Sequence, residues 1–348
     1  MKKILLSAVV CALALASEPL IIAKQGNYFA GGVVVQNQGK FDDKNITNSA
    51  GQTMNADHAS VYYQIPQNPK KYALMFLHGA GQSAATWGST PDGREGFATT
   101  LLRKNFSIYL LDQPRRGRAG QSSVPMQLTA TPQNQMWFNT FRVGMYPKYF
   151  DGVQFAKDEE TLNQYFRQMT PNTGAFDANV ISDAVAASTK RSGDVVLITH
   201  SQGGGVGWLS AIKTDKIKAI VSYEPGSGFV FAKGEAPEPM PSSAGTLSAA
   251  SVSLDEFKKL TKIPIIIYYG DYIPDKPVAD AGRDGWRVRL KMARLWAKKI
   301  NEHGGNAKVV HLPEVGIKGN THFPFSDLNS DKVEALLLEW LKEQKLDL

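Results

Sequence analysis

Cysteine is almost missing from this sequence. Among 348 residues only Cys11 is one, and it lies within an apolar run near the amino terminus, with further apolar residues behind it. A lipid-attachment cysteine would end such a run, so lipidation is not expected. Without Cys11 the chain has no thiol. Disulfide staples, thiol catalysis and Cys-based zinc sites are then excluded, and stability must come from a sizeable core. Long hydrophobic runs are missing too. Ile4 to Leu15 is too short to span a bilayer, and no later stretch is long enough. Lys2 and Lys3 precede that run, and Ala14-Leu15-Ala16 closes it with a small-x-small pattern. This reads as a signal peptide, residues 1–16, cleaved after Ala16, with 17–348 as the mature chain in the periplasm or outside the cell. Blocks of five basic residues are also absent. The formal charge of +7 comes from 39 Lys and Arg against 32 Asp and Glu. With no nucleic-acid motif beside it, this mild excess implies a basic surface with a weak pull on anions, not a nucleic-acid partner. No H-E-x-x-H, Walker or dinucleotide-binding pattern occurs, so neither metal nor cofactor is expected. Repeats and low-complexity tracts are absent as well.

What is present is strand–helix alternation. Apolar runs at Tyr72 to Leu77, Ser107 to Leu111, Val195 to Thr199, Ile217 to Tyr223, Ile263 to Tyr269 and Ala307 to Leu312 read as strands covered on both faces. Helical spacing marks Gly96 to Lys104, Phe176 to Arg191, Gly203 to Lys213, Trp286 to His303 and Asp331 to Lys345. The expected fold is α/β: one mostly parallel sheet with helices on both faces. Tyr28 to Val35 and Ser60 to Ile65 look like antiparallel strands that open the sheet. Two stretches break the rhythm. Residues 123–173, rich in aromatics, read as a cap over the sheet's carboxyl end, because so long a connection is not a bare loop. Phe229 to Ser253, rich in Pro, Ser, Gly and Ala, reads as a mobile surface loop. Trp87 and the cap aromatics suggest a largely apolar pocket.

The chemistry centres on Thr199-His-Ser201-Gln-Gly203, placed between an apolar strand and a helix. A tight strand-to-helix turn exposes a serine hydroxyl and nearby backbone N–H groups, provided its neighbours are small; the usual pattern is Gly-x-Ser-x-Gly. Thr199 departs from it at position −2, while Gly203 fills position +2. Leu77-His78-Gly79-Ala80-Gly81 follows another strand. The N–H groups of Ala80 and Gln202 are the expected oxyanion hole, and His78 is expected to support the loop. The base should follow the last strand. His303 sits at a helix end and His311 within the strand, which leaves His322 on the loop before the final helix. For the orienting acid, Asp271 and Glu224 both end strands, and spacing alone favours Asp271 slightly.

Six stretches carry a family resemblance. They are Thr90-Pro-Asp-Gly-Arg-Glu-Gly96, Leu111-Asp-Gln-Pro-Arg-Arg-Gly-Arg-Ala-Gly120, Thr199 to Gly203, Ile220-Val-Ser-Tyr-Glu-Pro-Gly226, Tyr269-Gly-Asp271 and Gly319-Asn-Thr-His322. Together the chain resembles secreted bacterial esterases of the α/β-hydrolase superfamily that use a Ser–Glu–His triad. The resemblance implies the α/β-hydrolase fold, with Glu224 in place of Asp271 as the acid. It allows a homodimer. Cysteines that relatives carry in the oxyanion loop are replaced here by Gly79-Ala80-Gly81. The expected activity is hydrolysis of a small-molecule carboxylic ester through an acyl-enzyme. A lactonase, amidase or perhydrolase on the same scaffold is the alternative, and a non-catalytic binding protein a further one.

Overall fold

The computed structural model describes residues 18–126 and 128–348. The signal-peptide reading and Cys11 lie outside the described residues. Eight strands form the central sheet: β1 (Ile22–Gln36), β2 (Thr53–Pro66), β3 (Ala73–Leu77), β4 (Ile108–Asp112), β5 (Val195–His200), β6 (Ile217–Tyr223), β7 (Pro264–Tyr269) and β8 (Asn306–His311). Their spatial order is β1-β2-β4-β3-β5-β6-β7-β8. From β4 to β8 every neighbouring pair is parallel, while β2 runs antiparallel to both β1 and β4.

The apolar runs form strands because both faces of the sheet are covered. Successive side chains point to opposite sides. Met75, Leu77, Leu197, Ile265 and Ile267 join one core; Leu74, Phe76, Val196, Ile198, Ile266 and Tyr268 join the other. The first core is closed by α4 (Ala178–Ser192), α5 (Gly203–Lys213), α6 (Leu254–Leu260) and α7 (Ala281–Glu302). The second is closed by α1 (Phe97–Leu102) and α8 (Ser330–Glu343). Leu337 of α8 is fully buried; truncating such a side chain to alanine costs about 2–5 kcal/mol. Helix α7 begins earlier than the apolar pattern suggested, because Asp280 caps its first amides at Gly282 and Arg283. The opening strands also outrun their apolar segments. They pair along nearly their whole length, so backbone bonds extend them through polar positions.

Two regions differ from a plain alternation. Residues 123–173 hold α2 (Asn134–Thr140), α3 (Glu159–Arg167) and a tight hairpin joining Gly144–Met145 to Lys148–Tyr149. The stretch read as a mobile loop, Phe229 to Ser253, is instead folded onto the core. Val230–Ala232 pairs with Ala250–Val252, Met240–Ser242 pairs with Gly245–Leu247, and Phe229 through Ala232 are buried. Composition misled here. Pro241, Ser242, Gly245 and Ser251 lie within the short strands themselves, and a few apolar residues do the anchoring. Trp87 likewise belongs to the core, not to a pocket: it is fully buried, with its ring 4.0 Å from that of Phe325. Among the described residues no helix is long and apolar enough to cross a membrane.

Candidate active site

The carboxyl ends of the parallel strands converge, as sites in open α/β sheets do. Ser201 follows β5 at a forced turn. Its φ is +54°, a left-handed conformation that a serine adopts only under constraint. The constraint is the seat of α5. At Gly203 a Cβ would lie 2.7 Å from the His78 carbonyl oxygen, and at Gly207 one would lie 2.7 Å from Thr199 Cγ2. The helix can therefore come this close only with glycine at both places. Gly207 also explains the unusual residue at position −2: it leaves room for the Thr199 methyl, while Thr199 Oγ1 donates to Ser222 Oγ at 2.8 Å. On the other side Gly79 packs against the turn, where an added Cβ would stand 2.7 Å from Ser201 Cβ.

His322 and Glu224 meet. The imidazole Nδ1 lies 2.6 Å from Glu224 Oε2, and both side chains are fully buried. Glu224 Oε1 accepts from the Gly270 N–H at 2.5 Å and from the Arg142 guanidinium. Burial alone would raise the Glu224 carboxyl, but the Arg142 charge and the His322 contact outweigh it and hold it below the usual range. Burial lowers the His322 imidazole to about 4, although Glu224 opposes the shift. The ring is therefore neutral at physiological pH. It is clamped between Phe141, 4.7 Å away and stacked, and Trp286, 4.2 Å away. Its Nε2 is enclosed and has no partner, so the Ser201 hydroxyl is not hydrogen-bonded to it here. Hydrogen bonds of this kind are often loose before substrate enters.

Asp271 does not touch the imidazole. Its Oδ2 accepts from the Gly319 N–H at 2.8 Å, its own N–H donates to the Asn320 carbonyl, and its carbonyl accepts from Arg142 Nε at 2.8 Å. It pins the loop that carries His322. Asp327 pins the same loop, accepting from the Thr321 N–H at 2.7 Å and from Thr321 Oγ1 at 2.8 Å. Burial pushes Asp327 up to about 8 in spite of those bonds.

Among the described residues, the N–H groups of Ala80 and Gln202 have no acceptor. The loop that presents Ala80 is held from two sides. His78 Nε2 accepts from the Gln113 N–H at 3.2 Å, and burial, with help from the Arg116 charge, lowers its imidazole to about 3. Arg116 Nη1 donates to the carbonyls of Gly79 and Gln82, at 3.2 and 2.8 Å. A cavity of about 550 Å³ opens beside this loop, lined by Ala80, Gly81, Arg116, Trp137, Met169 and Asn172 among others. Its lining is mixed in character, and it reaches the candidate site at Ala80 without including Ser201 or His322.

Arg142, Arg116 and Asp327 escaped the sequence reading. Arg142 and Asp327 stand in no recognisable motif, and Arg116 lies inside the Leu111 to Gly120 stretch without a role that the resemblance names. Arg142 lies just after α2, at φ +59°, where only the folded chain shows that it faces Glu224. Among the described residues no cluster of His, Cys, Asp and Glu could hold a metal ion.

Comparison with known proteins fits this geometry. Residues 74–335 match the alpha/beta hydrolase family. A solved structure described as a novel bacterial esterase is 29% identical, with a TM-score of 0.75 over 94% of this chain and 98% of its own. A probable secreted lipase, phiG, of a fungal species (strain ATCC 74256) is 25% identical over 334 residues, covering 83% of this chain and 87% of its own.

Proposed function

The chain belongs to the alpha/beta hydrolase family, and on that premise we propose that it is a serine esterase acting through an acyl-enzyme. The observation that carries the reading is the buried His322–Glu224 pair beside a strained serine turn and two unengaged amides. Ser201 Oγ attacks the ester carbonyl and passes its proton to His322 Nε2, which is neutral and has no other partner. Glu224 holds the ring by Nδ1 and stabilises the imidazolium that forms. The amides of Ala80 and Gln202 receive the oxyanion. The alcohol leaves with the proton from Nε2, and water then releases the acid by the same route. We read residues 123–173 as the cap: α2 brings Trp137 to the cavity and leads into Phe141, which lies on His322. The named relatives, a bacterial esterase and a secreted lipase, support an ester substrate and an extracytoplasmic place of work.

The test is a screen of p-nitrophenyl esters of rising acyl length, beside lactones and anilides, with a fluorophosphonate probe. The expected result is ester turnover and probe labelling, both lost in Ser201→Ala. Lactone or anilide turnover without ester turnover would move the reading to another hydrolase on this scaffold. A wild type that the probe does not label would favour a binding protein.

A further inference from the structure

Beside the proposed nucleophile lies an unpaired cation. Arg289 on α7 folds back along its own helix, its Nη1 donating to the Gly285 carbonyl at 2.6 Å and its Nε to the Gly226 carbonyl at 2.7 Å. The guanidinium rests over the Trp286 indole, 5.1 Å from the ring centre, and Trp286 packs in turn on His322. Gly226 joins this charge to Ser201. A Cβ built at Gly226 would stand 3.6 Å from Ser201 Oγ and 3.8 Å from Arg289 Nε. Glycine there leaves open the space that a side chain would take between hydroxyl and guanidinium.

Arg116, beside Gly79, also lacks a carboxylate within ion-pair distance, but its Nε, Nη1 and Nη2 all have protein acceptors. Arg142 is matched by the carboxylate of Glu224. Arg289 is not. Its two partners are neutral carbonyls, and among the described residues no carboxylate lies within ion-pair distance of it. Its Nη2 has no protein acceptor, yet it is not sealed in the interior as Arg142 Nη1 is. A largely buried cation without a counter-charge is costly, and a guanidinium whose Nη2 is neither sealed nor engaged by the protein suits a carboxylate in both charge and shape. Burial also lowers the basicity of Arg289, as expected for a charge with no partner.

We propose that Arg289 receives a carboxylate carried by the substrate, so that this enzyme prefers anionic esters whose negative charge lies a short chain away from the scissile carbonyl. The proposal rests on the serine-esterase reading. The carboxylate would accept from Nη2 while the two carbonyls keep the guanidinium in place. Its charge also offsets that of Arg289 close to His322, where the positive charge works against the imidazolium that the reaction must form.

The test compares kcat/KM for three substrates: p-nitrophenyl butyrate, the p-nitrophenyl monoester of glutaric acid, and the butyrate ester of p-hydroxybenzoic acid. The second carries its carboxylate on the acyl side and the third on the alcohol side. The wild type is expected to favour one anionic arm over the neutral ester. Arg289→Met is expected to lower that anionic-to-neutral ratio by roughly ten- to a hundredfold, the worth of hydrogen bonds to a charged group. Arg289→Lys keeps the charge but not the fork, and is expected to give an intermediate ratio; it serves alone if the Met variant does not fold. Neutral turnover that depends on Ser201, with no anionic preference in either arm, overturns the proposal by itself. So does a ratio that both variants leave unchanged. No turnover of any ester overturns the underlying reading and the proposal with it.

Discussion

Replacing Arg142 with Met removes the one cation that faces Glu224, in a pair whose two side chains are both fully buried. Deleting one partner of a buried pair leaves the other charge uncompensated and typically costs about 3–5 kcal/mol. The sign of its pH dependence follows from the carboxyl. In the wild type Glu224 is held below its ordinary value, so its contribution is present above the unfolded value and fades as pH falls through the folded one. In the variant, burial is opposed only by His322 and the Gly270 N–H, so the carboxyl moves up from its wild-type value and the charged form loses much of its stabilisation. The stability gap between the two proteins should therefore be widest at neutral and alkaline pH and narrow towards acid. Urea unfolding followed by tryptophan fluorescence at several pH values measures this, and Arg142→Lys, which keeps the charge, should recover part of the loss. In parallel, ester hydrolysis at neutral pH should fall, because Arg142 no longer helps to hold Glu224 charged and fixed against the imidazolium. A gap below about 1 kcal/mol, or one that does not change with pH, would refute the reasoning, since it would place the energetic weight of the pair elsewhere.

Three further outcomes are expected. Glu224→Gln should lower kcat by about 10⁴-fold, as loss of the orienting carboxylate does in other triads, whereas Asp271→Asn should act only through the loop it pins and cost far less; the reverse order, in folded proteins, would make Asp271 the acid. Gly79→Ala drives a methyl to within 2.7 Å of Ser201 Cβ, so activity and probe labelling should collapse while circular dichroism shows a folded chain; retained activity would mean that the turn can yield. Asp327 has a folded value near 8, above its unfolded one, so its stabilising contribution is complete in acid and lost as pH rises through about 8. Asp327→Asn should therefore flatten the decline of stability between mild acid and pH 8, and unchanged pH dependence in denaturant titrations would contradict that assignment.

The central sheet was legible because fully covered parallel strands leave uninterrupted apolar runs. β6, at Ile217–Tyr223, matches its run residue for residue. The place of Ser201 on a tight turn was legible because that turn needs small neighbours, and the place of His322 because only one late histidine stands on a loop after the last strand. Glu224 was not legible from spacing. Both it and Asp271 end strands, and resemblance alone turned the choice toward the residue that lies 2.6 Å from His322. Phe229 to Ser253 was misread because short paired segments leave no periodicity to detect. Arg142 and Arg289 were invisible for a deeper reason. An arginine in an insertion or on an amphipathic helix reads as a solvated charge, and only tertiary packing turns it towards a buried carboxylate or an unpaired position beside a serine.

The most direct measurement of the central claim is rapid acid quench of the wild type mixed with an activated ester, followed by peptide-resolved mass spectrometry. The expected result is an acyl group on the peptide containing Ser201, formed within the first turnover and absent in Ser201→Ala and His322→Ala. Steady hydrolysis of the same ester with no acyl group on Ser201, or with turnover that survives the loss of His322, would contradict the account.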